Sequence, residues 1–240
     1  MEIMKMTIPL LTLVLILVQL PFGPQPQEKP EEEPSPVKGW RLVKYFAVPS
    51  TRYSKKDGVI KAESLGTRSS LFKEIEAKQK DYPILTWKWR ISNVVRSAIE
   101  TRKDRFDAAA RVMVVFGREK RLKLFRQEPV GLKIEYIWAS HLPRGKVFDH
   151  PAEKDCKVFV IESGEGKAGQ WLSESRNLHK DFKEAFKMDP PGVIEIGIQT
   201  DTDQSNEGVT AWYSEPVLTP SPRTGKPPLP TPVERPSPRP

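Results

Sequence analysis

About ten short runs of apolar or alternating residues, each followed by a turn signal, constrain the fold of this chain more than any other feature. The runs span residues 40–48, 58–64, 69–76, 83–92, 110–117, 131–139, 156–162, 169–176, 192–200 and 208–218. Clusters such as Lys56-Asp57-Gly58 and Pro190-Pro191-Gly192 lie between them and are typical of turns that join strands. Many short strands with few helices predict an all-β fold, and we expect a β-sandwich of the jelly-roll type.

One segment departs from the strand pattern. Residues 177–186 repeat their apolar side chains at helical spacing, Asn177 is a suitable N-cap, and Pro190 ends the region. The sequence therefore predicts one short helix that covers an end of the sandwich. Residues 94–106 fit either a second short helix or a long loop.

Two proline-rich stretches flank the strand-forming region. Residues 24–37 are also rich in glutamate, whereas residues 219–240 are basic. Neither composition supplies enough apolar surface to form a packed core. We therefore expect a linker over residues 24–37, a β-sandwich domain over residues 38–218 and a disordered tail over residues 219–240.

The N-terminal residues 1–23 read as an export signal. The chain is almost wholly apolar from Ile8 to Leu20, after a positive charge at Lys5. This length suits the ~7–15 apolar residues of a secretory signal better than the ~20 residues of a membrane span. No small-x-small motif follows, so a cleaved signal peptide and an uncleaved N-terminal anchor both remain open. Either predicts an exported protein, periplasmic or secreted, whose contact with the inner membrane is limited to this segment.

Charge and cysteine content narrow the classes of partner. The net charge of +8 comes from basic and acidic residues mixed along the chain, and a basic surface favours anionic partners such as acidic glycans. The sequence has no zinc-finger spacing, Gly-aromatic RNA-binding signature or heptad array, so nucleic acid is not an expected partner. Cys156 is the only cysteine, and the domain must be stabilised by packing rather than by an internal disulfide.

Five segments occur in an order that resembles a known family. They are Trp87-Lys88-Trp89-Arg90, residues 107–116, Glu135-Tyr136-Ile137-Trp138, Glu162-Ser163-Gly164, and residues 196–203 followed by Ala211-Trp212-Tyr213. This order resembles the bacterial family of domains of unknown function numbered 3047, over about residues 39–218. The resemblance implies an exported β-rich domain and brings no established activity or catalytic residues.

Charged residues alternate with apolar residues in several of the predicted strands. They are Arg90, Arg111, Glu135, Glu162 and Arg176. If these strands are neighbours in one sheet, the charged side chains line a concave surface that binds sugar hydroxyls or an anionic glycan, because arginine offers a planar fork of donors. The alternative is a solvated sheet face with cross-strand ion pairs of ~0.2–1 kcal/mol each.

The tryptophans divide into two groups. Trp87 and Trp89 alternate with other apolar residues, which predicts that both lie in the core. Trp171 follows a glycine-rich loop and Trp212 has polar neighbours. These two fit the rim of a binding surface, where exposed aromatic side chains stack on sugar rings.

The loop over residues 201–208 is rich in oxygen ligands. Asp201, Asp203, Asn206 and Glu207 offer carboxylate and amide oxygens, which suit a hard cation such as calcium. The spacing is not that of an EF-hand. The sequence thus predicts a structural calcium site here, with an ordinary hairpin turn as the alternative.

Three functions follow from these features. The leading hypothesis is a non-catalytic binding module for a glycan or another component of the cell envelope, because no motif identifies catalytic residues. The first alternative is a carbohydrate-active lyase or hydrolase that uses acids such as Glu135 and Glu162. The second is a structural or assembly protein of the envelope, with residues 219–240 as its contact.

Overall fold

The computed structural model describes residues 34–75, 83–123 and 126–220, and it gives the backbone alone over residues 118–123 and 126–130. The strands among them are β1 (Arg41–Lys44), β2 (Arg52–Lys56), β3 (Val59–Leu65), β4 (Arg68–Glu74), β5 (Ile84–Ile91), β6 (Ala108–Lys123), β7 (Arg126–Ala139), β8 (Val147–Asp149), β9 (Cys156–Ser163), β10 (Leu172–Asn177), β11 (Val193–Asp201), β12 (Gly208–Ser214) and β13 (Val217–Thr219). Helix α1 (Leu178–Phe186) lies between β10 and β11.

The strands form two sheets. The seven-stranded sheet has the order β1-β4-β11-β6-β7-β9-β8, and the six-stranded sheet has the order β10-β5-β12-β3-β2 with β13 also paired to β5. Neighbouring strands are antiparallel except for β7 and β9, which are parallel. The predicted all-β, jelly-roll-like sandwich with one short helix is therefore confirmed.

Large aromatic side chains from both sheets fill the space between them. Trp89 lies 5.9 Å from Trp138, and Trp87 stacks on Tyr136 at 5.4 Å between ring centres. The exposed fractions of Trp87 and Trp89 are 3% and 0%, so their predicted place in the core is confirmed. Aromatic contacts of this kind stabilise the core beyond the area they bury.

The two sheets differ in how many of their faces are covered. Strands β3, β5 and β12 alternate buried with partly exposed residues, as expected where one face meets solvent. Strand β11 is buried at nearly every residue. On the outer side of the seven-stranded sheet, Phe106 and Phe148 pack over Ile137 and Val160. The six-stranded sheet thus keeps one open face, while much of the seven-stranded sheet is covered on both faces.

Helix α1 begins as predicted. The Asn177 side chain accepts a hydrogen bond of 3.0 Å from the backbone N–H of Lys180, which is the geometry of an N-cap. Leu178 and Phe182 join the main core, and Phe182 lies 4.6 Å from Phe116 between ring centres. The helix therefore buries its apolar face against the sandwich. Residues 94–106 form a loop with turns rather than a second helix.

Two strands do not correspond to any predicted run. They are β2, which is polar, and β8, which is only three residues long, so they carry little hydrophobic periodicity. The run predicted over residues 208–218 is divided between β12 and β13. The predicted signal or anchor (1–23), most of the predicted linker and nearly all of the predicted tail lie outside the described residues. Within the part of the chain that the structure describes, no helix is long and apolar enough to span a membrane.

Candidate ligand-binding face

A network of buried charges lies on the outer side of the seven-stranded sheet. Arg111 on β6 contacts Glu135 on β7 (3.2 Å, Nη1 to Oε2) and Asp201 at the end of β11 (3.3 Å, Nη2 to Oδ2). Their side chains are 0%, 2% and 1% exposed. Arg68 also contacts Asp201, and Lys133 contacts Glu135. We call these five residues the charged network.

The centre of the charged network, at Arg111, is covered by the loop that precedes β6. The Phe106 ring lies 4.2 Å from the guanidinium carbon of Arg111, and the Phe106 carbonyl oxygen accepts a hydrogen bond from Nη2 of the same arginine. His150 packs against the other side of this cover, 4.5 Å from Phe106 between ring centres. A ligand therefore has no route to Arg111 in this conformation.

The electrostatics of the charged network are those of a buried ion-pair system. Burial raises the pKa of Glu135, but His150 in its protonated form, Lys133 and Arg111 act against burial and together hold it at about 2. For Asp201 burial is the stronger effect. It raises the pKa of this carboxyl well above its ordinary value, although the nearby guanidinium groups of Arg111 and Arg68 lower it. Such pairs restrict how the strands fit together, and removing one partner leaves an uncompensated charge.

The single charged surface expected from the alternation pattern does not form. Arg90 and Arg176 belong to β5 and β10 of the other sheet. Arg176 bonds to Asp181 at 2.6 Å, and Glu162 bonds to Lys167 at 3.0 Å. Alternation determines the face of a strand on which a residue lies, but not the sheet that the strand joins. The structure thus brings Arg111 and Glu135 together, in a buried position, and separates them from the other three predicted residues.

The structure brings together two of the four residues predicted to hold calcium, Asp201 and Asp203, and places the other two elsewhere. The Glu207 carboxylate accepts hydrogen bonds from the backbone N–H groups of Arg96 and Ser97, and the Asn206 side chain lies against Gly66. Asp201 and Asp203 form a group of possible metal ligands with Asp107, in which one carboxylate oxygen of each lies within 4.8 Å of the others. The full predicted set is therefore not assembled, but two of its members lie together with Asp107.

A second group of candidate metal ligands consists of Glu135, His150 and Glu153. His150 Nδ1 accepts hydrogen bonds of 3.0 Å from the backbone N–H groups of Ala152 and Glu153. In the neutral ring the proton must then reside on Nε2, because one imidazole nitrogen donates when the other accepts. A protonated Nε2 has no lone pair for a metal, so this arrangement does not suit a cation. Burial lowers the pKa of His150, which favours the neutral ring.

The open face of the six-stranded sheet carries a different arrangement. Arg90 on β5 lies opposite Trp212 on β12, with the guanidinium carbon 4.0 Å from the centre of the Trp212 ring. Trp171, just before β10, lies on the other side of β5 at 5.4 Å from the same carbon. Trp171 is 42% exposed, and Trp212 and Arg90 are partly exposed. We call these three residues the aromatic–arginine stack.

Arg90 has no ion-pair or hydrogen-bond partner among the described residues. Its Nε atom is buried without a hydrogen-bond acceptor. Cation–π contact with tryptophan offsets part of the cost of removing a guanidinium from water. The stack thus holds a positively charged, planar donor group in place and leaves its acceptors to be supplied from outside.

Short hydroxyl side chains surround the stack. On neighbouring strands of the open face lie Thr86, Ser173, Ser175, Thr210 and Ser214. On the same sheet, a shallow groove of about 400 Å³ is lined by Arg52 of β2, Glu63 of β3 and Thr210 of β12, together with Ser92. The open face therefore combines exposed indole surface, a guanidinium and many hydroxyl groups, which are the elements of a polar-ligand platform.

All three residues of the stack are candidate binding residues in the sequence, but the pattern does not predict that they contact one another. It groups Arg90 with Arg111 and places Trp171 and Trp212 at the rim of a binding surface. The signal that relates them is the strict alternation in β5 and β12, which points Arg90 and Trp212 to the same kind of solvent-facing surface. Only the strand order of the sheet makes them neighbours.

Comparisons with solved structures give weak likenesses. The xyloglucanase domain of NopAA, a type three effector from Sinorhizobium fredii, in complex with cellobiose, has 9% identity and a TM-score of 0.45, covering 75% of this chain and 91% of that chain. Endoglucanase 3 of Trichoderma harzianum from family GH12 has 6% identity, a TM-score of 0.41 and coverages of 80% and 100%. The family 11 carbohydrate-binding module of the cellulase Lic26A-Cel5E from Clostridium thermocellum has 8% identity and a TM-score of 0.39, covering 77% of this chain and 89% of that chain. Likenesses this weak carry no argument about function.

The sequence itself gives a firmer assignment. No curated protein matches it at a significant level. The model of the family described as "Protein of unknown function (DUF3047)" matches residues 38–217, which is most of the chain and all of the sandwich except its last two strand residues. The resemblance identified from the five ordered segments is therefore confirmed, and this chain belongs to the DUF3047 family.

Proposed function

We propose that this protein is a non-catalytic binding module that holds a glycan on the open face of its six-stranded sheet. The observation that carries the proposal is the aromatic–arginine stack, in which an unpaired guanidinium lies between two partly exposed indoles. Tryptophan and arginine are the side chains most enriched where binding energy concentrates. These three side chains lie at the solvent-facing surface rather than in the core, so we interpret them as a binding site rather than as a source of stability.

The chemistry of the stack suits a sugar better than a purely apolar ligand. A pyranose ring presents C–H groups on its faces, which pack on the flat surface of an indole, and hydroxyl groups at its edge. Trp171 offers the most exposed indole surface, while Arg90 and the surrounding serine and threonine hydroxyls supply hydrogen bonds to the edge. An apolar ligand would leave these polar groups unsatisfied.

The spacing of the tryptophans suits a chain rather than a single sugar. Trp212 lies on β12 and Trp171 lies just before β10, and these two strands flank β5. The two indoles are therefore about two strand spacings, roughly 9–10 Å, apart. That distance is comparable to the length of a disaccharide. A polysaccharide that crosses the strands of the open face would contact both indoles and pass over Arg90.

The proposal places this binding outside the cytoplasm. Its support is the apolar run from Ile8 to Leu20, which the sequence analysis interprets as an export signal or an anchor. An exported module with a sugar-binding face would meet glycans of the cell envelope or of its surroundings.

The test is saturable binding of the full chain to polysaccharides, measured by affinity electrophoresis on a panel of neutral and acidic polymers. We expect Trp171→Ala and Trp212→Ala each to weaken binding by roughly 10-fold, about 1.4 kcal/mol. Phe46→Ala is the matched control, because Phe46 is fully exposed but does not lie on the strands of the open face. Binding that is lost equally in all three variants, or no binding to any polymer, would contradict the proposal.

Catalysis is tested on the same polymers. Glu135, one member of the acid pair considered from the sequence, is bonded to Arg111 with its side chain 2% exposed, so it is not within reach of a glycosidic bond in this conformation. We therefore expect the length of a bound polysaccharide to remain unchanged after prolonged incubation. A decrease in chain length would show that the module is an enzyme.

A further inference from the structure

Resting on the proposed function, we infer that the glycan on the open face carries carboxylate groups and that Arg90 binds one of them. The inference names the class of polymer, one that contains uronic acids. It follows from the environment of Arg90 and from the charge of the face around it.

The environment of Arg90 lacks the anion that a partly buried guanidinium usually has. Four other arginines of the described residues have partly or fully buried side chains, and each has a carboxylate partner: Arg41 pairs with Glu195, Arg68 and Arg111 with Asp201, and Arg176 with Asp181. Arg90 has only the two indoles, and its Nε atom is buried without an acceptor. Withdrawing a charge from water without a partner is unfavourable. The two Nη atoms of Arg90 are not among the buried unpaired atoms, so a bound carboxylate can reach them and offset part of that penalty.

The charge of the open face favours an anionic polymer. On the solvent-facing side of β2, β3, β5 and β12 the described cationic side chains are Arg52, Lys56, Lys61, Lys88 and Arg90, and the carboxylate among them is Glu63. Arg52 and Lys61 share that one carboxylate. The face is therefore positive, which attracts an acidic polymer and raises its local concentration.

The arrangement suits a carboxylate better than a phosphate or a sulfate. A guanidinium binds a planar carboxylate through two parallel N–H···O bonds. Recognition of phosphate groups typically gathers several arginines around one anion. Here a single guanidinium stands between indoles, and Lys88, the next outward-facing residue on β5, is exposed. One planar anion beside a stacked sugar ring matches this geometry.

The experiment compares one polymer in two charge states. The full chain is titrated with polygalacturonate and with the same polymer after methyl esterification, which removes the charge and keeps the sugar backbone. Alginate and hyaluronan serve as further carboxylated probes. Dextran sulfate and a single-stranded DNA oligonucleotide report attraction to any polyanion. We expect the carboxylated form of at least one uronate polymer to bind roughly 10-fold more tightly than its esterified form.

Variants assign the preference to one residue. In Arg90→Gln the preference for the carboxylated form should fall below about threefold, while Arg52→Gln, an exposed arginine of the same face, should keep it. Equal binding of both charge states by the wild type would overturn this inference and leave the proposed function standing. The inference would also be overturned if the protein bound dextran sulfate or DNA more tightly than any uronate polymer, or if it bound no uronate polymer. The tryptophan variants test the proposed function separately.

Discussion

The guanidinium carbon of Arg90 lies 4.0 Å from the centre of the Trp212 ring, directly across from it on the neighbouring strand. Arg111 has a similar contact, 4.2 Å from the Phe106 ring, but Arg111 is fully buried and bonded to Glu135 and Asp201. Two arginines with similar aromatic contacts therefore have different surroundings. Arg111 is a structural ion of the covered sheet, whereas Arg90 has no ion-pair partner among the described residues and is the cation that we propose binds the ligand.

Replacing Arg111 should strongly destabilise the fold. Arg111→Met leaves the buried carboxylates of Glu135 and Asp201 with fewer cations, and removing one partner of a buried pair costs about 3–5 kcal/mol. Arg52→Met is the matched control, since the pair of Arg52 with Glu63 is at the surface and is worth about 1 kcal/mol or less. The free energy of unfolding in urea measures both. Similar small losses in the two variants would contradict the assigned role of the charged network.

The depressed pKa of Glu135 predicts a loss of stability in acid. In the folded protein this pKa is about 2, against an ordinary value of 4.5. Between these values the unfolded chain binds more protons, so the contribution is complete above pH 4.5 and is lost as the pH falls toward 2. A difference of this size corresponds to roughly 3 kcal/mol.

The free energy of unfolding of the wild type and of Glu135→Gln is measured at several pH values between about 5.5 and 3. This interval lies around and below the ordinary pKa of a glutamate, where the unfolded chain takes up its proton. The wild type should lose stability more steeply than the variant over this interval. Parallel curves would show that Glu135 is not held ionised by its neighbours.

Gly197 is required by the packing of the covered sheet. A Cβ atom at this position of β11 would lie 2.6 Å from the Phe72 ring and 2.9 Å from the Met113 methyl group. We expect Gly197→Ala to destabilise the protein by about 1–3 kcal/mol, as is usual for overpacking. Gly166→Ala is the control, because a Cβ there meets nothing within 4 Å. Equal melting temperatures for the two variants would contradict this interpretation.

The covered sheet shows what the sequence could have revealed about Arg111. Residues 108–116 are apolar at every position except 111, and a near-continuous apolar run is typical of a strand buried on both faces. In β5, by contrast, apolar and polar residues alternate strictly, which indicates one solvent-facing side. Comparing the two patterns would have placed Arg111 inside and Arg90 outside.

The partners of each strand could not be predicted from local patterns. Trp171 lies just before β10 and Trp212 lies on β12, and both are far from β5 along the chain. The parallel pairing of β7 with β9 is equally non-local. Alternation shows on which face of a strand each residue lies, but it does not show which strands pair with it. The fold class, the core tryptophans and the helix cap depend on local patterns and were predicted, whereas the aromatic–arginine stack depends on strand order and was not.

Ligand binding at Trp171 and Trp212 can be followed through the indole N–H signals of the six tryptophans. Two-dimensional ¹H–¹⁵N spectra of the full chain are recorded while a uronate oligosaccharide is added. We expect the signals of Trp171 and Trp212 to shift, while those of the buried Trp87, Trp89 and Trp138 stay in place. Shifts confined to the buried tryptophans, or saturable binding that moves neither Trp171 nor Trp212, would contradict it.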